Sequence, residues 1–243
     1  MRSTKVVAVV SDKGGVGKST LAYELAAALG AVLIDLDWSG GGVSASWGFD
    51  HRQRTRRPLL DSLASGRPPR YLRHRYRPAL VPSHPDLVEI EPAAALAQGL
   101  VARRLKTWSE TWNLPLVVDT HPGFNGLTTS AIEAADLLVV PLLLREKELN
   151  ALDRMLQEGL TENRVLLVPN MVPTVTPRAQ LRRLKELLKP FEGLPVTSPV
   201  SFHPWWPRRQ LRSALVLTPN PGLKVARAAR ELRAVAEAVE RYE

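Results

Sequence analysis

The residues with the clearest chemistry form one glycine-rich segment near the start of the chain, Asp12-Lys13-Gly14-Gly15-Val16-Gly17-Lys18-Ser19. Glycines let the backbone approach phosphate oxygens with its amides pointing inward, and the positive end of a following helix supplies further donors. Lys18 would neutralise the β and γ phosphates of a nucleotide, and the Ser19 hydroxyl would ligate magnesium. Asp12 stands where the general phosphate-loop pattern has its first glycine. The segment predicts a nucleoside triphosphate site, and a plain turn between strand and helix is the weaker alternative.

The elements that must position this segment follow from the spacing of apolar residues. Residues 6–10 are typical of a strand buried on both faces, a helix is predicted from residue 20 to about 29, and residues 31–36 form a second strand. The pattern also predicts strands at 79–81, 87–90, 116–119, 137–142 and 165–168, and helices at about 93–112, 127–134, 147–160, 177–188 and 223–242. This alternation is typical of the α/β class, with a doubly wound, mostly parallel sheet and helices on both faces. We expect one domain spanning residues 1–243.

Carboxylates lie at the ends of two of these strands. Asp35 and Asp37 end the second strand, and Asp119 ends the strand at 116–119. Open α/β sheets place ligands at these carboxyl ends, and three carboxylates facing one phosphate loop match the needs of a magnesium-nucleotide. Each one alone could instead cap a helix or form a turn, and for Asp35 this alternative stays open.

The segment 13–19 resembles the deviant phosphate loop of the ParA/MinD superfamily of dimerising ATPases. The resemblance covers nearly the whole chain: 33–37 is similar to the family's second acidic motif, 117–123 to its magnesium-side strand, and 168–170 to its adenine-contact segment. It implies the P-loop NTPase fold, ATP and Mg²⁺ as ligands, and an ATP-bound homodimer. The order of motifs is closest to that of small, Soj-like partition ATPases.

The resemblance also implies roles for single residues. Lys13 would be the signature lysine, which reaches across a nucleotide sandwich to phosphates bound by the other subunit, and Asp37 would orient or deprotonate the attacking water. Asp35 and Asp119 would hold magnesium together with Ser19, directly or through water. Asn170 would pair with the adenine edge, although a turn role explains it nearly as well. The implied catalytic residues are Lys13, Lys18 and Asp37, and the nucleotide-binding set is Gly14, Gly15, Val16, Gly17, Lys18, Ser19, Thr20 and Asn170.

Two positions depart from the family. Trp38-Ser39-Gly40-Gly41-Gly42 follows Asp37 where the family has Pro-Gln-Gly, so we expect the geometry of the switch to differ. His121 lies beside the magnesium-side strand, where it could sense the γ phosphate or titrate near neutral pH. A solvated loop histidine is the alternative.

The basic charge is concentrated in two regions. The chain carries 33 Lys and Arg against 24 Asp and Glu, a net charge of +9. Residues 52–77 contain nine Arg and one acid, and they are expected to be an insertion or a mobile segment that binds DNA, docks a partner or is simply solvated. Residues 178–212 contain eight Lys or Arg and two acids. The resemblance implies sequence-independent DNA binding there, with Arg178, Arg182, Arg183, Arg208, Arg209 and Arg212 as candidates.

Composition excludes several classes of protein. Without cysteine there are no disulfides, thiolate zinc sites, cysteine nucleophiles or cysteine-held iron–sulfur clusters. No apolar run reaches the roughly 18 to 20 residues that cross a bilayer, and we expect the mature protein to start at Met1 in a reducing cytoplasm. The last helix lacks Trp and Phe on its apolar face, which favours packing over membrane binding.

These observations lead to one function with open alternatives. We expect an ATP-dependent partition ATPase, cytoplasmic and nucleoid-associated, whose ATP-bound dimer binds nonspecific DNA. A centromere-bound, ParB-like adaptor would stimulate hydrolysis. The alternatives are a MinD-like membrane-associated positioning ATPase, a ParA-like ATPase that positions a non-DNA cargo, and a synthetase-like enzyme that uses ATP.

Overall fold

The computed structural model describes residues 5–39, 42–50, 57–90, 98–160, 164–175, 177–191, 193–205 and 213–242. The strands are β1 Val6–Val9, β2 Val32–Asp35, β3 Leu72–His74, β4 Arg77–Val81, β5 Leu116–Asp119, β6 Leu137–Leu142 and β7 Val165–Pro169. The helices are α1 Lys18–Leu29, α2 Val43–Trp47, α3 Pro58–Ser65, α4 Gln98–Trp112, α5 Gly126–Ala134, α6 Glu146–Gln157, α7 Arg178–Leu188 and α8 Leu223–Arg241.

The strands form one sheet in the order β3-β4-β2-β5-β1-β6-β7. Only β3 runs antiparallel to its neighbour; the other pairs are parallel. Alternate residues of a strand face opposite sides, so Val6 and Ala8 of β1 enter one apolar core while Val7 and Val9 enter another. Residues of α4, α5, α6 and α7 contribute to the first core, and those of α1 and α8 to the second. The predicted fold class, with helices on both faces, is confirmed.

The sheet brings the carboxyl ends of β1, β2 and β5 together. Strand β5 lies between β1 and β2, and Asp35 is the registered neighbour of Asp119. The glycine-rich segment leaves β1 at this same edge and leads into α1. The site therefore rests on the three central strands, which are buried along their whole length.

The sequence prediction was wrong for residues 87–90, which are helical and not a strand. The N–H of Leu87 donates to the carbonyl of His84 at 3.0 Å, and the N–H of Val88 donates to that of Pro85 at 3.1 Å. Pro85 fixes the φ angle that starts such a turn. Leu87 is fully buried, whereas Val88 is 51% exposed, so a short apolar run provides only one buried anchor.

The arginine-rich segment also differs from expectation. Its described part, 57–77, contains α3 and β3, elements that the sequence did not predict. Residues 52–56 lie outside the described residues. Helix α2 was not predicted either. None of the helices in the described ranges combines the length and the apolar composition that a bilayer crossing requires.

Candidate active site

The glycine-rich loop has the backbone that its glycines permit. Gly15 and Gly17 have φ angles of 77° and 92°, in the left-handed region that disfavours other residues. Gly17 is the N-cap of α1, and Thr20 lies in the first turn of that helix. A Cβ atom at Gly17 would lie 2.4 Å from Nδ2 of Asn170, whereas one at Gly14 or Gly15 would meet no atom within 4 Å. The loop is tightly packed at Gly17 and open at the first two glycines.

Asn170 fixes this loop from the end of β7. Its Nδ2 donates a hydrogen bond of 2.8 Å to the carbonyl of Val16, and its backbone N–H donates to the carbonyl of Leu142 at 2.8 Å. Asn170 is only 5% exposed. Asn170 lies beside the loop, as the predicted nucleotide-binding segment requires. Its side-chain amide, however, is bonded to the backbone of the loop itself. The adenine contact remains a prediction.

The two lysines of the loop have opposite environments. Lys18 is 6% exposed, and its Nζ donates to the backbone carbonyl of Lys13 at 3.3 Å. Burial lowers the pKa of Lys18, while Asp119 and Asp37 act to raise it. The side chain of Lys13 is 46% exposed and pairs with Asp12 at 3.3 Å. Lys18 is therefore buried within its own loop, whereas the side chain of Lys13 is accessible to solvent.

Asp35 has both of its carboxylate oxygens occupied by the protein. Oδ2 accepts hydrogen bonds from the backbone N–H of Ser44 at 2.8 Å and from its hydroxyl at 2.5 Å. Oδ1 accepts from the N–H of Asp37 at 3.0 Å. Burial raises the pKa of Asp35 to about 7, although the bonds from Ser44 act to lower it. Asp35 thus caps the first turn of α2, which is the alternative that sequence reasoning left open.

Asp119 is equally buried, but its carboxylate is not held by hydrogen bonds as that of Asp35 is. Neither of its carboxylate oxygens has a hydrogen-bond partner among the described residues. Burial, followed by the charge of Asp35, raises its pKa well above the usual range, and the neighbouring Ser19 hydroxyl acts in the opposite direction. A buried carboxylate without donors is costly unless a cation or proton compensates it.

Asp119 and Ser19 fit a magnesium ion. Oxygen ligands suit Mg²⁺, which usually keeps several waters and takes only one or two protein groups besides the phosphates. Among the described residues no three His, Asp or Glu side chains form a cluster that could hold a metal. Asp35, Asp37 and Asp119 are therefore neighbours at one edge of the sheet without forming a complete cage of their own.

Asp37 and the two unusual positions lie at the mouth of this site. Oδ1 of Asp37 accepts from the N–H of Ser39 at 3.0 Å and from its hydroxyl at 2.5 Å. The rings of Trp38 and His121 stack with centroids 4.2 Å apart and planes 7° apart. The stack connects the loop after β2 to the loop after β5. The sequence marked both residues separately but gave no sign that they touch.

Sequence reasoning missed Ser44, which organises the acidic side of the site. Besides its two bonds to Asp35, its hydroxyl oxygen accepts from the N–H of Ser83 at 2.9 Å. Ser44 therefore joins the loops after β2 and β4. A serine nine residues after the acidic strand end carries no motif, so only the fold identifies it.

Three of the six candidate DNA-binding arginines lie on α7. Arg178 and Arg182 are exposed on α7. Arg183 is half-buried, and it pairs with Glu146 at 3.2 Å and donates to Oδ1 of Asn150 at 2.7 Å. Arg208, Arg209 and Arg212 lie outside the described residues. Of the α7 arginines, two remain free to meet a polyanion.

The mostly parallel sheet and the glycine-rich loop between β1 and α1 are those of P-loop nucleotide-binding proteins. Comparison with protein families narrows this class, because residues 4–159, more than half of the chain, match the AAA_31 family, an AAA domain. The chain belongs to this family and to the ParA/MinD superfamily of ATPases. The membership of this superfamily, which the loop and the other motifs implied, is confirmed.

Several named proteins are similar to this chain. The chromosome-partitioning ATPase Soj of Thermus thermophilus is 35% identical over 147 residues, 56% of this chain and 53% of Soj. Maintenance of carboxysome distribution protein A of Gloeobacter kilaueensis is 49% identical over 72 residues, 24% of this chain and 32% of that protein. The matches thus span about half the length of these relatives or less.

A solved structure supports the fold. The structure of apo McdA from Cyanothece superposes with a TM-score of 0.79 over 97% of this chain and 99% of that chain, at 18% sequence identity. At this identity the likeness supports the architecture alone.

Proposed function

We propose that this chain is an ATP hydrolase of the ParA type that forms a dimer around bound ATP. The observation that carries the proposal is the contrast between the two lysines of one loop. Lys18 is buried at its own phosphate site, whereas the side chain of Lys13 is 46% exposed and, among the described residues, pairs with the neighbouring Asp12. An exposed cation at the edge of a phosphate site can serve a phosphate outside its own subunit, as an arginine finger does.

The described residues support a division of labour within each subunit. The amides of Gly14, Gly15 and Gly17 and the Nζ of Lys18 would bind phosphate oxygens. Ser19 and Asp119 would hold Mg²⁺, which when bound neutralises charge on the phosphates. Asp37 would orient the attacking water or accept its proton.

Asp35 has a supporting part in this proposal. Its oxygens accept hydrogen bonds from Ser44 and from the N–H of Asp37, which favours contact with a metal through water over direct ligation. Its stronger role is to hold the backbone of Asp37 in place at the mouth of the site.

We propose that the work of this ATPase is DNA partition. The similar Soj protein is named as a chromosome-partitioning ATPase, and ParA proteins of Myxococcus xanthus and Caulobacter vibrioides also match. Exposed Arg178 and Arg182 on α7 offer sequence-independent phosphate contacts. In this proposal a ParB-like adaptor stimulates ATP hydrolysis, and hydrolysis releases the dimer from the nucleoid.

A non-DNA cargo is the second candidate. The observation in its favour is the 49% identity of 72 residues with a protein named for carboxysome distribution. The membrane alternative is weaker, because the apolar side of α8 faces the core. Its buried residues are Ala228, Ala229, Leu232, Val235, Ala236 and Val239.

The dimer is tested by sedimentation with a nonhydrolysable ATP analogue. We expect Lys13→Ala to bind the analogue but to sediment as a monomer, while the wild type forms a dimer. Lys106→Ala, which removes an exposed lysine on α4, is the matched control and should dimerise. Dimerisation of Lys13→Ala at the wild-type affinity would contradict the cross-subunit role.

The hydrolytic role of Asp37 is tested separately. We expect Asp37→Ala to bind ATP and to remain a DNA-bound dimer, since the water would lose the group that orients it. A variant that turns ATP over at the wild-type rate would remove this role from Asp37. Binding of duplex DNA and of anionic liposomes, compared with ATP, with ADP and without nucleotide, then distinguishes partition from membrane positioning.

A further inference from the structure

A second strongly basic surface lies at the β3–β4 hairpin. We define the arginine hairpin as residues 67–77, which contain Arg67, Arg70, Arg73, Arg75 and Arg77 and no Asp or Glu. Arg67, Arg70, Arg73 and Arg75 are exposed, and Arg77 is half-buried. Five arginines in eleven residues without an acid create a strong local positive potential.

Two exposed guanidinium groups of the hairpin stack on aromatic rings. Arg73 lies 4.9 Å from the centroid of Tyr71 and donates to the hydroxyl of that tyrosine at 2.6 Å. Arg75 lies 5.2 Å from the centroid of Tyr76. Stacking fixes the plane of a guanidinium and leaves donors at its edge, which suits bidentate contact with phosphate.

These exposed arginines also lack carboxylate partners. No ion pair within the described ranges involves Arg67, Arg70, Arg73 or Arg75. Other arginines are paired: Arg57 with Asp86, Arg154 with Asp12 and Arg227 with Glu231. The hairpin keeps its charge available for an external anion.

Arg77 anchors the hairpin to the body of the protein. Its guanidinium lies 4.9 Å from the centroid of Trp47 and donates to the carbonyl of that residue. Nε1 of Trp47 donates in turn to the carbonyl of Pro78 at 2.9 Å. The exposed arginines thus stand on a rigid base that continues into α2, the helix capped by Asp35.

The hairpin and β7, the strand that precedes α7, lie at opposite edges of the sheet. Strand β3 is one edge strand and β7 is the other, with six spacings of about 4.8 Å between them, roughly 29 Å in all. Ala214, two residues after Arg212 in the sequence, donates its N–H to the carbonyl of Tyr76 at 2.8 Å. The segment that follows the predicted DNA-binding arginines 208–212 therefore contacts the hairpin.

We infer that the arginine hairpin binds the phosphate backbone of DNA as a contact surface separate from α7. The inference rests on the proposed function, in which DNA is the partner. The hairpin contains no Asn or Gln and no acid, the side chains that pair with adenine or cytosine, so its contacts would be insensitive to sequence. Rigid, unpaired guanidinium groups interleaved with aromatic rings favour nucleic acid over an acidic protein segment.

The test compares DNA binding by Arg73→Ala/Arg75→Ala, Arg178→Ala/Arg182→Ala and the wild type, with ATP present and across a series of salt concentrations. We expect the hairpin variant to bind about five- to tenfold more weakly near 0.1 M salt, with a slope of log affinity against log salt that is smaller by about 1 to 2. Arg73→Lys/Arg75→Lys keeps the charge and should retain most of the slope. Arg75→Ala alone, at the exposed turn, provides a milder variant if the double variant loses thermal stability.

Each outcome separates the inference from the proposed function. DNA binding by the wild type with unchanged affinity and slope in the hairpin variants would overturn the inference alone. Absence of ATP-dependent DNA binding by the wild type would overturn the partition proposal and the inference together. Poly-glutamate serves as a second probe: loss of its binding in the hairpin variant, with DNA binding unchanged, would replace DNA by an acidic protein partner and so overturn the inference.

Discussion

The ends of β2 and β5 carry two aspartates that are alike in position and unlike in bonding. Asp35 and Asp119 are registered neighbours on adjacent parallel strands, and both are fully buried. Asp35 accepts three hydrogen bonds, from Ser44 and from the N–H of Asp37. Asp119 accepts none of hydrogen-bond geometry from the described residues, although the Ser19 hydroxyl lies close enough to lower its pKa. Residue type and place in the sheet therefore do not decide what a carboxylate does; the donors around it do.

The difference assigns separate tasks to the two strand ends. A carboxylate whose two oxygens both accept hydrogen bonds from the protein shapes the backbone, and Asp35 shapes the turn that presents Asp37. A buried carboxylate without donors weakens the empty protein by about 1–3 kcal/mol, and a bound cation removes that penalty. We therefore expect β2 to supply the frame of the site and β5 to supply its cation ligand.

The largest expected effect is on the pH dependence of stability without magnesium. Burial raises the pKa of Asp35 to about 7 and that of Asp119 well above its usual range, so both hold a proton in the folded protein after the unfolded chain has lost it. Their contribution to the free energy of unfolding is fully present below about pH 4 and is lost as the pH rises towards 7, by up to about 1.4 kcal/mol per unit for each group.

Urea unfolding in EDTA at several pH values between about 4 and 7 measures this loss. The informative quantity is the stability of the wild type minus that of Asp119→Asn or Asp35→Asn, because carboxylates that do not interact with this pair cancel in the difference. Mg²⁺ with nucleotide should remove the part due to Asp119 and leave the part due to Asp35. A difference that does not change with pH would contradict the account of both strand ends.

The next effect is on magnesium-dependent nucleotide binding. We expect Asp119→Asn to weaken the Mg²⁺-dependent part of ATP affinity by about 10- to 100-fold, since it removes the carboxylate that is free to hold the ion or its water. In EDTA the same variant should be at least as stable as the wild type. Titration calorimetry with and without Mg²⁺ measures both parts. Equal weakening by Asp35→Asn would erase the distinction between the strands.

A third, smaller effect concerns the hydrogen bonds by which Ser44 holds Asp35 at the end of β2. We expect Ser44→Ala to lower the free energy of unfolding by about 1–2 kcal/mol, because the hydroxyl bonded to Asp35 and to the N–H of Ser83 is lost. Ser46→Ala, in the same short helix, is the matched control and should change it by less than about 0.5 kcal/mol. Chemical denaturation compares the two. If both variants are equally stable, Asp35 does not depend on Ser44.

The sequence predicted the framework of this site better than its bonding. The bounds of β5 and β6 agree with prediction to the residue, because continuous apolar runs that are buried on both faces leave little choice of structure. The glycines and Lys18 identified the phosphate loop because spacing alone carries that signal. By contrast, the short run at 87–90 fits either a strand or a turn of helix, and only packing decides between them.

The contrast between Asp35 and Asp119 could not be predicted, since it depends on contacts across the sequence. Ser44 reaches Asp35 from nine residues away, and it reaches Ser83 from a different loop. The stacked pair Trp38 and His121 joins residues 83 positions apart. Such partners are set by which loops the sheet brings together, and neither motif nor periodicity encodes them.

The smallest expected effect tests whether that stacked pair couples the two strand ends. Trp38 follows Asp37 on the β2 side, and His121 follows Asp119 by two residues on the β5 side. Their rings are nearly parallel at 4.2 Å, an arrangement worth about 0.5–1.5 kcal/mol beyond area burial. We expect Trp38→Ala to lower stability by about that amount and to slow ATP turnover modestly, with Mg²⁺-dependent ATP affinity kept.

Trp38→Phe provides the control, because it retains an aromatic ring that can stack. Recovery of turnover by Phe but not by Ala would indicate that the stack positions Asp37 relative to Asp119. Unchanged turnover in both variants would mean that β2 and β5 act independently, and that the bonds from Asp35 suffice to place Asp37. The stack would then contribute to stability alone.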